Sequence, residues 1–216
     1  MEKTHFLKLI ILVLAIGLSF LVMGGATQNA HAIPIEYIAD LAGSSENPPT
    51  ASPGTGFAEV DLDTGAHTMR VQITFSDLVG VTVASHIHSA APPSGNAPVA
   101  TQVPTFAGFP LGVTSGTYDN TFDMTLASTW NPSFVTAHGG TVAGAEAYLT
   151  ASLAAGTAYV NIHTPQFPGG EIRGNLQPAP QAVPEPTTMI LLGSGVLGLW
   201  GFRKKLQKVK NEKGNY

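Results

Sequence analysis

Three histidines occur in short apolar settings that suit strands. In Ser85-His86-Ile87-His88, side chains of an extended chain alternate, so His86 and His88 share one face and Ile87 takes the other. The same parity in Tyr159-Val160-Asn161-Ile162-His163 buries Val160 and Ile162 and turns Tyr159, Asn161 and His163 the opposite way. In Gly170-Glu171-Ile172-Arg173-Gly174, Glu171 and Arg173 lie on one side and Ile172 on the other. Three imidazoles, a carboxylate and a guanidinium are therefore expected to meet on one surface. Imidazoles at i and i+2 on a strand, with a third from a neighbouring strand, can bind copper or zinc through nitrogen. The same groups can instead form a structural polar cluster. In that case the histidines bond to strand backbone and to Glu171, and Arg173 pairs with a carboxylate to pin the last strand.

Strands must position these groups. Short runs rich in β-branched residues recur between turn signals, a pattern that predicts strands near Ile35 to Leu41, Gly56 to Leu62, Thr68 to Phe75, Val81 to His88, Thr117 to Leu126, Tyr159 to Thr164 and Glu171 to Leu176. Asp63-Thr64-Gly65 predicts a hairpin with Gly65 free to take positive φ. Met69, Val71, Ile73 and Phe75 alternate with Arg70, Gln72 and Thr74, giving one core face and one wet face. A single stretch breaks the pattern: Val142 to Ala155, Ala-rich with Leu149 and Leu153 four apart, predicts a short helix ended by Gly156 that covers an open end or edge. Pro- and Gly-rich Asn47 to Pro53 and Ala90 to Pro98 are expected as loops.

The ends of the chain carry different signals. Lys3 and Lys8 precede an apolar run from Leu9 to Val22, and Ala30-His31-Ala32 has the small-x-small form that signal peptidase cleaves. Residues 1–32 are thus expected as a signal peptide cut after Ala32, with an uncleaved anchor as the alternative. At the other end, a Pro-rich linker over 178–186 contains Pro184-Glu185-Pro186. An apolar segment over 187–202 follows, then a basic tail over 203–216. Sixteen residues reach about 24 Å, short of a ~30 Å hydrocarbon core but able to insert with local thinning. The basic cluster favours the cytoplasmic side, which puts the preceding domain outside. A generic tail anchor has the same features.

Between these ends, residues 33–177 suit one domain. From Ile33 to Val183 there are eleven acidic residues against two basic ones, Arg70 and Arg173, a difference of −9. Such a balance argues against nucleic acid, whose phosphates need clustered Lys and Arg. Cysteine is absent, which excludes disulfides, thiolate metal sites and cysteine nucleophiles. No Gly-x-Ser-x-Gly elbow, Walker loop or His-Glu-x-x-His helix occurs. Asp61 and Asp63 flank the hairpin and are expected as solvent-facing turn residues rather than an acid and base pair.

The segments SSENPPT, the strand pair around DTG, ASHIHSAAPPSGNAPV and AYVNIHTPQFPGGEIRGNL resemble the CHRD domain, from about Tyr37 to Leu176. The resemblance implies an immunoglobulin-like or superoxide-dismutase-like sandwich in an extracellular protein. His88 is followed by Ser89 where a Gly is usual, and Ser128 to Gly140 is longer than usual. VPEPTT, the apolar run and RKK resemble the PEP-CTERM sorting signal, which implies an exosortase-like processing enzyme in a bacterium that makes exopolysaccharide. Superoxide dismutase chemistry is disfavoured. His67, His86, His88, His138 and His163 are fewer than a binuclear copper-zinc site uses, and the net negative charge repels the anion.

Taken together, the sequence predicts an all-β, antiparallel, Greek-key-like β-sandwich with one short helix, flanked by a signal helix and a transmembrane helix. The expected function is non-enzymatic binding or adhesion at the cell surface or in the extracellular matrix, with exopolysaccharide or surface proteins as partners and no cofactor. Before processing, the C-terminal helix would anchor the chain transiently in the inner membrane. The alternative is a copper- or zinc-binding protein, with a redox role in view, built on His86, His88 and His163.

Overall fold

Alternating apolar residues set the strands, and the computed structural model describes them within residues 34–91 and 95–180. The strands are β1 (Ile35–Ala42), β2 (Thr55–Asp63), β3 (Thr68–Ser76), β4 (Ala84–His88), β5 (Gly116–Asp123), β6 (Tyr159–His163), β7 (Ile172–Asn175) and β8 (Gln177–Pro178). Two α-helices, α1 (Pro132–Ala137) and α2 (Val142–Ala154), lie between β5 and β6. The expected signal peptide with Ala30 and Ala32 lies outside the described residues. So do Pro184, Glu185 and Pro186, the apolar segment over 187–202 and the basic tail. Among the described residues no helix is long and apolar enough to cross a membrane.

The strand pairs given by the register are all antiparallel, but the strands do not divide into two facing sheets. They join in one curled sheet, a half-barrel, in the order β4-β6-β7-β1-β2-β3-β5, with β8 beside β1. The reason is β1. It pairs with β2 along its whole length, while Ala42 at its end pairs with Arg173 of β7 and Tyr37 with Pro178 of β8. One strand therefore keeps both halves of the sheet hydrogen-bonded to each other.

The concave core follows the sequence parity: Tyr37, Leu41, Val60, Val71, Ile87 and Ile162 are all buried together. Helix α2 adds Ala145, Leu149 and Leu153 to that core. Thr141 caps its first turn by accepting from the Gly144 N–H, 3.1 Å away. Its last turn closes where Gly156 takes φ 65° and the Thr157 N–H donates to Ser152 O. Helix α1 was not expected from the sequence. Its signal is Asn131-Pro132, an N-cap whose side chain accepts from Ser133 N followed by proline at the first helical position.

The β2–β3 hairpin also differs in one detail. Its loop spans residues 64–67, and the positive φ, 54°, belongs to His67 rather than Gly65. Asp63 holds the turn by accepting from the backbone N–H groups of Gly65 and Ala66. His67 in turn reaches helix α2, its Nδ1 2.9 Å from a carboxylate oxygen of Glu146.

The second face of the sheet is divided. Over β2, β3 and β5 it is wet, with Arg70 paired to Asp119 at 2.7 Å. Over β4, β6 and β7 it is covered and polar.

Candidate metal centre

Register brings the histidines together. Strands β4 and β6 pair with Ala84 opposite His163, His86 opposite Asn161 and His88 opposite Tyr159. On the far side of β6, Asn161 lies opposite Arg173 and Tyr159 opposite Asn175. Because Ile87, Val160 and Ile162 enter the core, the other face of these strands carries all three imidazoles. Ring centroids are 5.8 Å apart for His86 and His88, 5.3 Å for His86 and His163, and 6.0 Å for His88 and His163. One nitrogen from each ring lies within 4.8 Å of the others.

This face is not open surface, as the sequence reading had it. His86 and His88 are only 6% and 7% exposed, and His163 is half-buried. The residues flanking the sheet supply the cover. His86 Nε2 donates to Pro104 O at 2.7 Å, His88 Nδ1 to Ala97 O at 2.8 Å and His163 Nδ1 to Pro168 O at 2.9 Å. A carbonyl only accepts, so each of these ring nitrogens carries the proton. The other nitrogen of each ring, Nδ1 of His86 and Nε2 of His88 and His163, is buried and has no hydrogen-bond partner.

Burial lowers the proton affinity of the cluster. It brings His86 and His88 down to about 4, against the opposing bonds to Pro104 and Ala97, with repulsion from His163 adding to the effect. His163 is lowered by burial as well, against its bond to Pro168. Near neutral pH the site therefore holds three neutral imidazoles with free lone pairs. A donor–carbonyl bond on the far nitrogen is the arrangement that fixes tautomer and ring orientation in metal-ligating histidines.

The other two expected site residues part company. Glu171 and Arg173 do not share partners. Glu171 accepts from Ser52 Oγ, Thr164 Oγ1 and the backbone N–H groups of Val79 and Gly80. Burial works against its charge, and these four donors outweigh it, leaving the carboxyl below its usual range. It bonds to none of the histidines, because it precedes β7 and points into the turn before β4. Arg173 instead faces Glu46, 3.9 Å away, and donates to Ser45 O, Gly95 O and Asn96 Oδ1.

Sequence parity missed Glu46, which lies in a turn where strand alternation does not apply. Its carboxyl is pushed up to about 7 by burial, against the pull of Arg173 and of the Asn47 N–H. Gly170, at φ 132°, lets the chain pass close beside it; a side chain there would overlap the Glu46 carboxylate and the Asn161 amide.

Buried polar atoms without partners are uncommon and call for a cause. Among the described residues they belong to Glu46, His86, His88, Ser89, Asn161, His163 and Asn175. Every one lies on β4, β6 or β7, directly after β4, or in the turn after β1. The unsatisfied polarity of the domain is thus concentrated around the histidines.

Neither a curated protein nor a solved structure matches the chain. Two family models do: the PEP-CTERM protein-sorting motif over residues 182–205, and the CHRD domain over 37–176. The first makes this an exported, cell-surface-directed protein recognised by an exosortase-type processing enzyme. The second spans nearly all of the curled sheet and the histidine cluster within it, and the chain belongs to the CHRD domain family.

Proposed function

We propose that this protein is an exported metal-binding surface protein in which His86, His88 and His163 hold one zinc or copper ion. The observation that carries the proposal is the set of three buried, unpartnered ring nitrogens, each opposite a nitrogen that donates to a backbone carbonyl. A structural cluster alone would use both nitrogens or leave one in water. Tetrahedral ligands at about 2.0–2.1 Å from an ion stand about 3.4 Å apart. With the present limit of 4.8 Å, the triad contracts by at most about 1.4 Å per pair, within reach of small ring rotations.

The role of the ion is structural and non-enzymatic. A cysteine-free domain outside the cell has no disulfides, and metal binding adds directly to its folding free energy. Binding or adhesion to exopolysaccharide or surface proteins belongs to the same reading, with the sorting motif as its support. Anchoring in the inner membrane through residues 187–202 precedes exosortase-type processing.

Elemental analysis of protein produced in zinc- and copper-supplemented medium tests the metal. Close to one ion per chain is expected, together with a melting temperature that falls on chelation. Metal-free protein whose melting is unmoved by either ion contradicts the reading.

A further inference from the structure

Resting on the trihistidine reading above, a second feature of the same face concerns the rest of the coordination sphere. Asn161 is 1% exposed and lies directly opposite His86, two residues before His163 on the same strand face. Directly opposed side chains on paired strands stand about 4.5–5.5 Å apart at Cβ. Its Nδ2 donates to Gly169 O at 3.4 Å and sits beside Gly170, so the amide nitrogen faces the loop. The other end of the planar amide, Oδ1, is buried and has no hydrogen-bond partner.

We propose that Asn161 Oδ1 is the fourth ligand of the ion held by His86, His88 and His163. A fully buried carbonyl oxygen left without a donor is costly unless something positive faces it. A divalent cation among the neighbouring imidazoles supplies that charge. Glu46 stays outside this sphere, since only the three histidines bring ligand atoms within 4.8 Å of one another among the His, Cys, Asp and Glu side chains described.

The donor set becomes three nitrogens and one neutral oxygen, which closes a four-coordinate site. Closed four-coordinate sites are the structural type for zinc, and an amide oxygen is a hard donor. Selectivity for zinc over copper(I) then depends on Asn161, because copper(I) gains little from such an oxygen.

The test uses the full-length chain in detergent, with cobalt(II) as a spectroscopic probe and zinc and copper(I) in competition. Wild type, Asn161→Leu and Asn161→Asp are compared. Wild type is expected to give the intense visible absorption of four-coordinate cobalt. Asn161→Leu is expected to bind zinc about 10–100-fold more weakly, to shift the cobalt bands and to lose preference for zinc over copper(I). Asn161→Asp, nearly the same shape with a charged oxygen, is expected to bind at least about tenfold more tightly with its bands shifted but still four-coordinate. Wild-type affinity and an unchanged cobalt spectrum in both variants overturn the role of Asn161 and leave the trihistidine centre standing. Absence of cobalt and zinc binding by wild type overturns that centre and this proposal together.

Discussion

Tyr159 stacks face to face on His88, with ring centroids 4.8 Å apart and planes 5° from parallel. On the Tyr159 ring sits the Arg173 guanidinium, 4.6 Å from the centroid, so a cation, a phenol and an imidazole form one column across β7, β6 and β4. The tyrosine hydroxyl accepts from the Ala97 N–H at 3.3 Å, and Ala97 O receives the His88 proton. One aromatic residue thus holds both the ring and the loop that orients it.

Tyr159→Ala is expected to cost about 3–5 kcal/mol of stability, the usual loss for a buried aromatic. Tyr159→Phe keeps the stack and loses the hydroxyl's hydrogen bonds with the Ala97 N–H and Arg173, for about 0.5–1.5 kcal/mol each. Urea denaturation of the three metal-free proteins measures both, and equal losses would show that the hydroxyl rather than the stack matters.

Proton linkage sets a second expectation. The folded values of His86 and His88, about 4, lie below the ordinary value of 6.5, so the neutral rings favour the fold. The stabilisation is fully present above pH 6.5 and is lost as pH falls through about 4. Metal-free wild type should therefore lose more stability between pH 7 and pH 4.5 than a His88→Gln variant does. Bound zinc should be retained down to about pH 5, since protons do not compete until the folded values are approached. Release near pH 6.5, as at an exposed histidine site, would contradict this.

Glu46 predicts the opposite slope. Its folded value, about 7, is above the ordinary 4.5, so the protonated form favours the fold. That contribution is complete below pH 4.5 and disappears as pH rises through 7. In metal-free protein, Glu46→Gln should be close to neutral at pH 4 and stabilising at pH 8. Denaturation midpoints at the two pH values decide it, and a variant destabilised at pH 8 would mean that the charged pair with Arg173 outweighs burial.

At Glu171 the sign reverses again. Its depressed value makes the charged form the stable one, with the benefit present above the ordinary carboxylate value and lost as pH falls through the folded one. Glu171→Ala leaves four donors unanswered, at about 1–3 kcal/mol for each that stays buried. A loss of at least about 3 kcal/mol is expected at pH 7, read by denaturation. A loss under about 1 kcal/mol would show that water replaces the carboxylate.

Much of the site was legible because β parity is local. Ile87, Val160 and Ile162 mark the core face, and that alone turns His86, His88 and His163 the same way. Which strands are neighbours is a non-local fact, and so is the continuity of the sheet through β1 that replaces the expected sandwich. The cover over the histidines comes from Ala97, Pro104 and Pro168, carbonyls in irregular segments whose paths no periodicity reveals. Glu46 as the carboxylate facing Arg173, and the donors that hold Glu171 away from the histidines, escape the sequence for the same reason: Glu46 lies in the turn after β1 and Glu171 just before β7, where alternation stops guiding the side chain.

The most direct test of the metal centre is zinc and copper titration of the full-length chain beside a His86→Ala, His88→Ala, His163→Ala variant. Binding of one ion with a dissociation constant below about 1 μM, lost in the variant, is the predicted result. No binding by the wild type, or equal binding by the variant, would contradict it and leave the three imidazoles as a purely structural cluster.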